Sequence, residues 1–220
     1  MKNKKSLIII IAVVLVIVLA LLLGLFMNKE SSKLKTNAEK TEISTDTTGY
    51  RLDLRIFGTY NKTKINEIVM VNNYKNSDKQ VNFTKVSDGK ETTREFLVKD
   101  GKYYEVKDNK LSSVENILYE DTDIFLKGVK NMTDTEFSST EKIGETSYDV
   151  YKGVVSKSIV NDMLEETDLG FKIDKDATCE VWITADGYVY KAYYKVDDLT
   201  IYPSYFRYNT INEINLDMYK

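Results

Sequence analysis

Cys179-Glu180-Val181-Trp182-Ile183-Thr184-Ala185-Asp186-Gly187-Tyr188-Val189-Tyr190-Lys191-Ala192-Tyr193-Tyr194 is the stretch from which the architecture of this chain is read. An Asp-Gly pair between two β-forming runs is a strong short-range hairpin signal. With Asp186 and Gly187 as a two-residue loop, Ala185 faces Tyr188, Ile183 faces Tyr190, Val181 faces Ala192 and Cys179 faces Tyr194. Side chains alternate along a strand, so these residues share one side of the ribbon. The other side carries Glu180 opposite Tyr193 and Trp182 opposite Lys191. A slip of one residue would mix the two sets. Turn chemistry and apolar pattern therefore agree on one register.

The same reading extends upstream. Asp88-Gly89 places Val81 opposite Phe96 and Phe83 opposite Arg94, with Val98 continuing the apolar side. Asp100-Gly101 sets Val98 opposite Tyr103 and Leu97 opposite Tyr104. Both sides carry apolar residues there, so this part is expected to be covered on both faces. Asp108-Asn109 is a weaker turn of the same kind. Leu52, Leu54 and Ile56 alternate with Arg51, Asp53 and Arg55 as a half-buried strand, and Lys64 to Asn73 reads as the next one. Two stretches break the alternation. Ser156 is a candidate N-cap, followed by Ile159, Val160, Met163 and Leu164 at helical spacing, with Gly170 placed to end that helix or its following turn. Thr122 to Met132 places Phe125, Val129 and Met132 on one helical face. An antiparallel sheet interrupted by short helices is an α+β pattern.

Tyr148-Asp149-Val150-Tyr151-Lys152-Gly153, then a short helix ending near Leu164, then Val181-Trp182-Ile183 before an Asp-Gly turn and a Tyr-rich return strand: this order resembles the LolA-like and LppX/LprG-like lipid carriers of the bacterial envelope. The specific part spans residues 147 to 197. Thr184 stands where those proteins commonly have Asp. The resemblance implies a curved antiparallel sheet, an unclosed half-barrel, with short helices across its concave face and an apolar cavity between them for acyl chains. It places Val181, Ile183, Tyr190, Tyr194, Val81, Phe83, Phe96, Val98, Met163 and Leu164 along that cavity. A ligand cavity and a filled core leave the same alternation in sequence. A protein-interaction or sensory ectodomain with a filled core therefore stands as the alternative to a domain binding a lipid, a lipoprotein or another hydrophobic ligand.

Leu7 to Met27 is a run of 21 residues without a charged side chain. At about 1.5 Å per residue it matches a bilayer core. Lys2, Lys4 and Lys5 precede it, and positive charge stays on the cytoplasmic side. The expectation is a single-pass signal anchor at 7–27, residues 1–6 in the cytoplasm, a flexible Lys/Glu/Ser/Thr-rich tether at 28–48, and an extracellular domain at 49–220. A cleaved signal peptide has a shorter apolar region and a small-x-small site, and Gly24-Leu25-Phe26-Met27-Asn28 is a poor one. A lipid-anchored lipoprotein needs a cysteine just after the run, whereas the one cysteine is Cys179.

Residues 1–48 hold seven lysines against four acids, and the whole chain carries −3, so the outer part carries −6. That balance excludes nucleic acid as a partner and disfavours a broad resting face on an anionic membrane. One cysteine leaves no internal disulfide. The chain has no histidine, which removes the commonest general base, the Ser-His and Cys-His pairs and most zinc sites. Two Ser-x-x-Lys motifs, Ser32 to Lys35 and Ser139 to Lys142, lack any companion motif. Asp121 with Asp123, Asp174 with Asp176 and Asp197 with Asp198 lack EF-hand spacing and read as solvated loops. Nothing singles out a carboxylate pair for glycoside hydrolysis. No enzyme, metal or cofactor is expected, and an envelope protein partner is compatible with all of this.

Overall fold

The computed structural model describes residues 49–74, 77–87, 90–208, 214 and 219. The expected anchor, tether and cytoplasmic residues lie outside the described residues, as do Asp88 and Gly89 themselves. No helix among the described residues is long and apolar enough to cross a membrane. The described residues belong to one compact unit, Asn37–Lys220, which carries its own core.

Eleven strands form one antiparallel sheet: β1 Arg51–Tyr60, β2 Thr63–Asn73, β3 Lys79–Ser87, β4 Lys90–Lys99, β5 Lys102–Lys107, β6 Lys110–Val114, β7 Thr133–Ile143, β8 Thr146–Val155, β9 Ala177–Thr184, β10 Val189–Val196 and β11 Leu199–Phe206. Two helices interrupt the series, α1 Ile124–Lys130 and α2 Lys157–Glu165. The spatial order is β6-β5-β4-β3-β2-β1-β11-β10-β9-β8-β7. Two meanders thus meet where the first strand pairs with the last. β6 and β7 do not pair, so the sheet is unclosed.

Turn chemistry explains the registers. Asp100 and Gly101 both take positive φ, at 52° and 71°, as do Asp108 and Asn109, at 51° and 59°. These are the conformations a two-residue hairpin loop needs. The expected pairs Val98↔Tyr103, Leu97↔Tyr104, Val81↔Phe96 and Phe83↔Arg94 all form. Phe96, Leu97 and Val98 are all buried, as expected for a strand covered on both faces. On the Leu97 side, Tyr219 hydrogen-bonds Gln80 and Glu95. Asn61-Lys62 makes a further tight turn that the sequence reading passed over, because lysine is a poor marker of positive φ.

The 179–194 hairpin departs from expectation at its tip. Thr184 N–H donates to the Tyr188 carbonyl, and Gly187, at φ 87°, closes a three-residue loop of Ala185, Asp186 and Gly187. Ile183 therefore pairs with Val189, not Tyr190. A bulge at Tyr190 absorbs the extra residue, and from Lys191↔Trp182 onward the expected register holds, through Val181↔Ala192 to Cys179↔Tyr194. The bulge turns Tyr190 to the opposite face, where it stacks on Tyr148 at 4.7 Å and meets Phe206 edge-on at 5.8 Å. Tyr190 thus leaves the set of residues it was grouped with.

Both helices cover one face of the sheet, called inner below. α1 buries Phe125 and Val129, and α2 buries Val160, Met163 and Leu164. Tyr194 joins sheet to helix: its hydroxyl donates to the Phe125 carbonyl at 2.5 Å. Gly128 lets this happen, since a Cβ there would lie 2.3 Å from the Met163 terminal methyl and 2.8 Å from the Tyr194 oxygen. Ser156 begins α2 in extended conformation, as expected, but its hydroxyl pairs with Ser158. The free Lys157 N–H is instead satisfied by Asp176 at 2.8 Å.

Candidate functional site

Nine of the ten residues expected to line a cavity are packed on the inner face or on α2 facing it. Val181, Ile183, Tyr194, Val81, Phe83, Phe96, Val98, Met163 and Leu164 are each at most 8% exposed. Over the β2–β4 part, the connection from β6 to α1 lays Tyr119 on the sheet. Its ring sits 5.9 Å from that of Phe83, and its hydroxyl donates to Glu67 at 2.7 Å. Tyr119 holds φ at 59°, a costly conformation for a bulky residue, and its N–H donates to the Glu166 carbonyl. No periodicity marks a single tyrosine in an irregular connection, so sequence reasoning had no means of finding it.

Glu67 is the anomaly of this face. It occupies an inner position between Ile65 and Val69 and is fully buried. Lys85 reaches it at 3.6 Å and Asp168 at 3.2 Å. Burial raises the Glu67 pKa, against the lowering effects of the Tyr119 hydroxyl and Lys85. The folded protein therefore holds this proton to higher pH than the unfolded chain does. Stability from this group is complete below about pH 4.5, the ordinary value, and is lost as pH rises through the raised value. Glu67→Gln keeps an acceptor for Tyr119 and removes the charge. Its stability relative to the parent should rise as pH increases above about 4.5 in urea titrations; parallel profiles would exclude Glu67 as the titrating group.

Cys179 is buried on the inner face, and burial pushes its thiol up to about 12, so it is an inert core residue. The aspartates flagged in sequence are used structurally: Asp123 accepts from the Tyr50 hydroxyl, Asp121 pairs with Lys127 and Asp197 with Lys175. Among the described residues no cluster of His, Cys, Asp or Glu could hold a metal ion.

An open groove lies on the outer face among the described residues. The registers align Phe57, Thr200, Lys195, Thr178 and Val154 in one row across β1, β11, β10, β9 and β8. Beside it runs a second row, in which Tyr202 stacks on Tyr193 at 4.3 Å and Glu180 pairs with Lys152 at 3.3 Å. Between them lies a groove of about 630 Å³ lined by Phe57, Val154, Tyr193 and the polar residues of both rows, with Asp134 and Glu136 at its β7 end. Burial, then the hydrogen bond with Tyr202, pushes the Tyr193 hydroxyl up to about 12, so it stays protonated. A second groove of about 500 Å³, along β1 and β2, shares Phe57 and includes Arg55, Lys64 and Ile68. Phe57 and Ile68 are 41% and 43% exposed. The sequence carried a signal for this site: Phe57 and Ile68 are apolar residues at positions where alternation calls for polar ones.

No protein-family model and no curated protein matches the chain. Among solved structures, LprF from Mycobacterium bovis superposes with a TM-score of 0.60 at 12% identity, covering 84% of this chain and 96% of that one. Lipoprotein LppX from Mycobacterium tuberculosis gives 0.56 at 14% identity, covering 83% and 98%. The chain has the LppX-type fold. A LolA superfamily protein from Nitrosomonas europaea also matches, at 10% identity and a TM-score of 0.33. Through LprF and LppX, the resemblance read from residues 147 to 197 extends over most of the described domain. In this LppX-type sheet the inner face is occupied by its own helices and Tyr119, while an amphipathic groove stands open on the other side.

Proposed function

We propose that this protein is a non-enzymatic envelope domain of the LppX type that binds a hydrophobic ligand, a lipid or the acyl chain of a lipoprotein. Leu7–Met27 would anchor it in the cell membrane, with the N-terminus cytoplasmic and the domain outside. The observation that carries this reading is the outer groove. Its volume of about 630 Å³ falls within the roughly 300–1,000 Å³ of small-molecule sites, and its apolar surface is accompanied by a few polar groups able to orient a ligand. The helices cover the inner face, and an open place for a chain lies beside Phe57 and Tyr193.

The burial of Val181, Ile183, Phe83 and Tyr194 on the inner face favours a second reading, a protein-interaction ectodomain without a ligand. One experiment separates them. The compact unit Asn37–Lys220 is purified from its own host, extracted with organic solvent and analysed by mass spectrometry. Stoichiometric lipid in the parent, lost in Phe57→Glu at unchanged thermal stability, is the expected result. Lipid retained by Phe57→Glu would move the ligand to the inner face. Lipid absent from the parent would favour the interaction reading.

A further inference from the structure

Arg55 and Lys64 line the β1–β2 groove, Lys195 lines the larger one, and the exposed ring of Phe57 belongs to both. All three cations are exposed, and none forms an ion pair with a carboxylate among the described residues. Some cations elsewhere on the sheet are matched, Arg51 with Asp53, Arg94 with Glu105 and Lys152 with Glu180, and others such as Lys90, Lys102 and Lys142 are not, but these do not line a groove beside an exposed aromatic ring. The nearest outer-face carboxylate on β1, Asp53, is occupied by Arg51 at 2.7 Å. In a domain of net negative charge, three unmatched cations beside an exposed aromatic form a local reversal of sign. Of the groove's three carboxylates, Glu180 is paired with Lys152 at 3.3 Å, and Asp134 and Glu136 stand at the other end on β7.

We infer that the ligand of the outer groove is an anionic amphiphile, its alkyl chain against Phe57, Val154 and Tyr193 and its phosphate or carboxylate head among Arg55, Lys64 and Lys195. This inference rests on the hydrophobic-ligand reading above and adds the chemistry of the head. Unmatched cations beside an apolar slot attract and orient such a head, whereas Asp134 and Glu136 repel it from the β7 end. A neutral head gains nothing from the cations. The occupant is a single amphiphile molecule; the domain's overall negative charge opposes broad contact with an anionic bilayer.

The test is calorimetric titration of the compact unit Asn37–Lys220 with dodecyl phosphate, dodecyl maltoside and inorganic phosphate, each amphiphile below its micellar concentration. Dodecyl phosphate should bind about tenfold or more tighter than dodecyl maltoside, matching one charge-assisted contact, and the advantage should shrink with added salt. Inorganic phosphate should not bind measurably. In the double variant Arg55→Gln/Lys195→Gln the two amphiphiles should bind alike. Equal affinity for both in the parent, or a preference that survives in the double variant, would overturn the anionic head while leaving the hydrophobic ligand standing. Binding of inorganic phosphate as tight as that of dodecyl phosphate would overturn the amphiphile. Binding of neither amphiphile would overturn the inference together with the hydrophobic-ligand reading beneath it.

Discussion

Gly58→Ala is expected to destabilise the domain by about 3 kcal/mol or more, one of the two largest effects anticipated for a single substitution. Gly58 lies inside β1 with φ at 126°, and a Cβ there would fall 1.8 Å from the Asp198 carbonyl oxygen. Two costs combine. Positive φ in a residue with a side chain costs about 1–3 kcal/mol. Overpacking costs a similar amount again, because the atom in the way is backbone and cannot rotate aside. The clash would push the β10–β11 turn away from β1, at the seam where the two meanders join. Gly101→Ala is the matched control: φ is also positive, at 71°, but nothing lies within 4 Å of the added methyl. It should cost only about 1–2 kcal/mol. Urea midpoints measure both, and equal losses would eliminate the Asp198 contact as the reason for glycine.

Tyr194→Ala should cost about 3–5 kcal/mol, the range for removing a buried aromatic. The ring is 1% exposed, sits against Gly128 of α1 and sends its hydroxyl to the Phe125 carbonyl. Tyr194→Phe removes only the hydrogen bond and should cost about 1 kcal/mol. The difference has a local signature. Amide exchange in Ile124–Lys130 should accelerate in Tyr194→Ala more than in the central strands, because α1 loses the side chain that seats it. If the two variants share a urea midpoint, the ring is not what holds the helix.

The registers of the β3–β6 meander were legible because Asp-Gly and Asp-Asn dictate two-residue loops and alternation supplies an independent check. The same logic misplaced Tyr190, because a three-residue loop and a compensating bulge cancel within five residues and leave the rest of the hairpin unchanged. Helix positions were legible from spacing, but the Asp176 cap was not, since it arrives from a connection 19 residues away. The outer groove was the least visible feature. Its residues come from six strands, and most of them, such as Lys152, Thr178, Glu180, Lys195 and Thr200, read one by one as solvated surface. Only register across the whole sheet brings Phe57 into line with Val154, and only the pattern of ion pairs reveals that Arg55, Lys64 and Lys195 are unmatched.

The pairing of β1 with β11 also governs the order of assembly. Leu54 meets its partner Pro203 only after nearly the whole domain has been synthesised. The β1–β6 and β7–β11 meanders can each form from local contacts, but the seam between them closes over the longest loop in the fold, and such closure is slow. Until then both β1 and β11 present bare edges, the most association-prone surfaces a nascent sheet can offer. A chain stopped after β10 should therefore leave two half-sheets and accumulate as aggregate. In the complete chain, the last strand acts as the closing step that turns two independent ribbons into one domain.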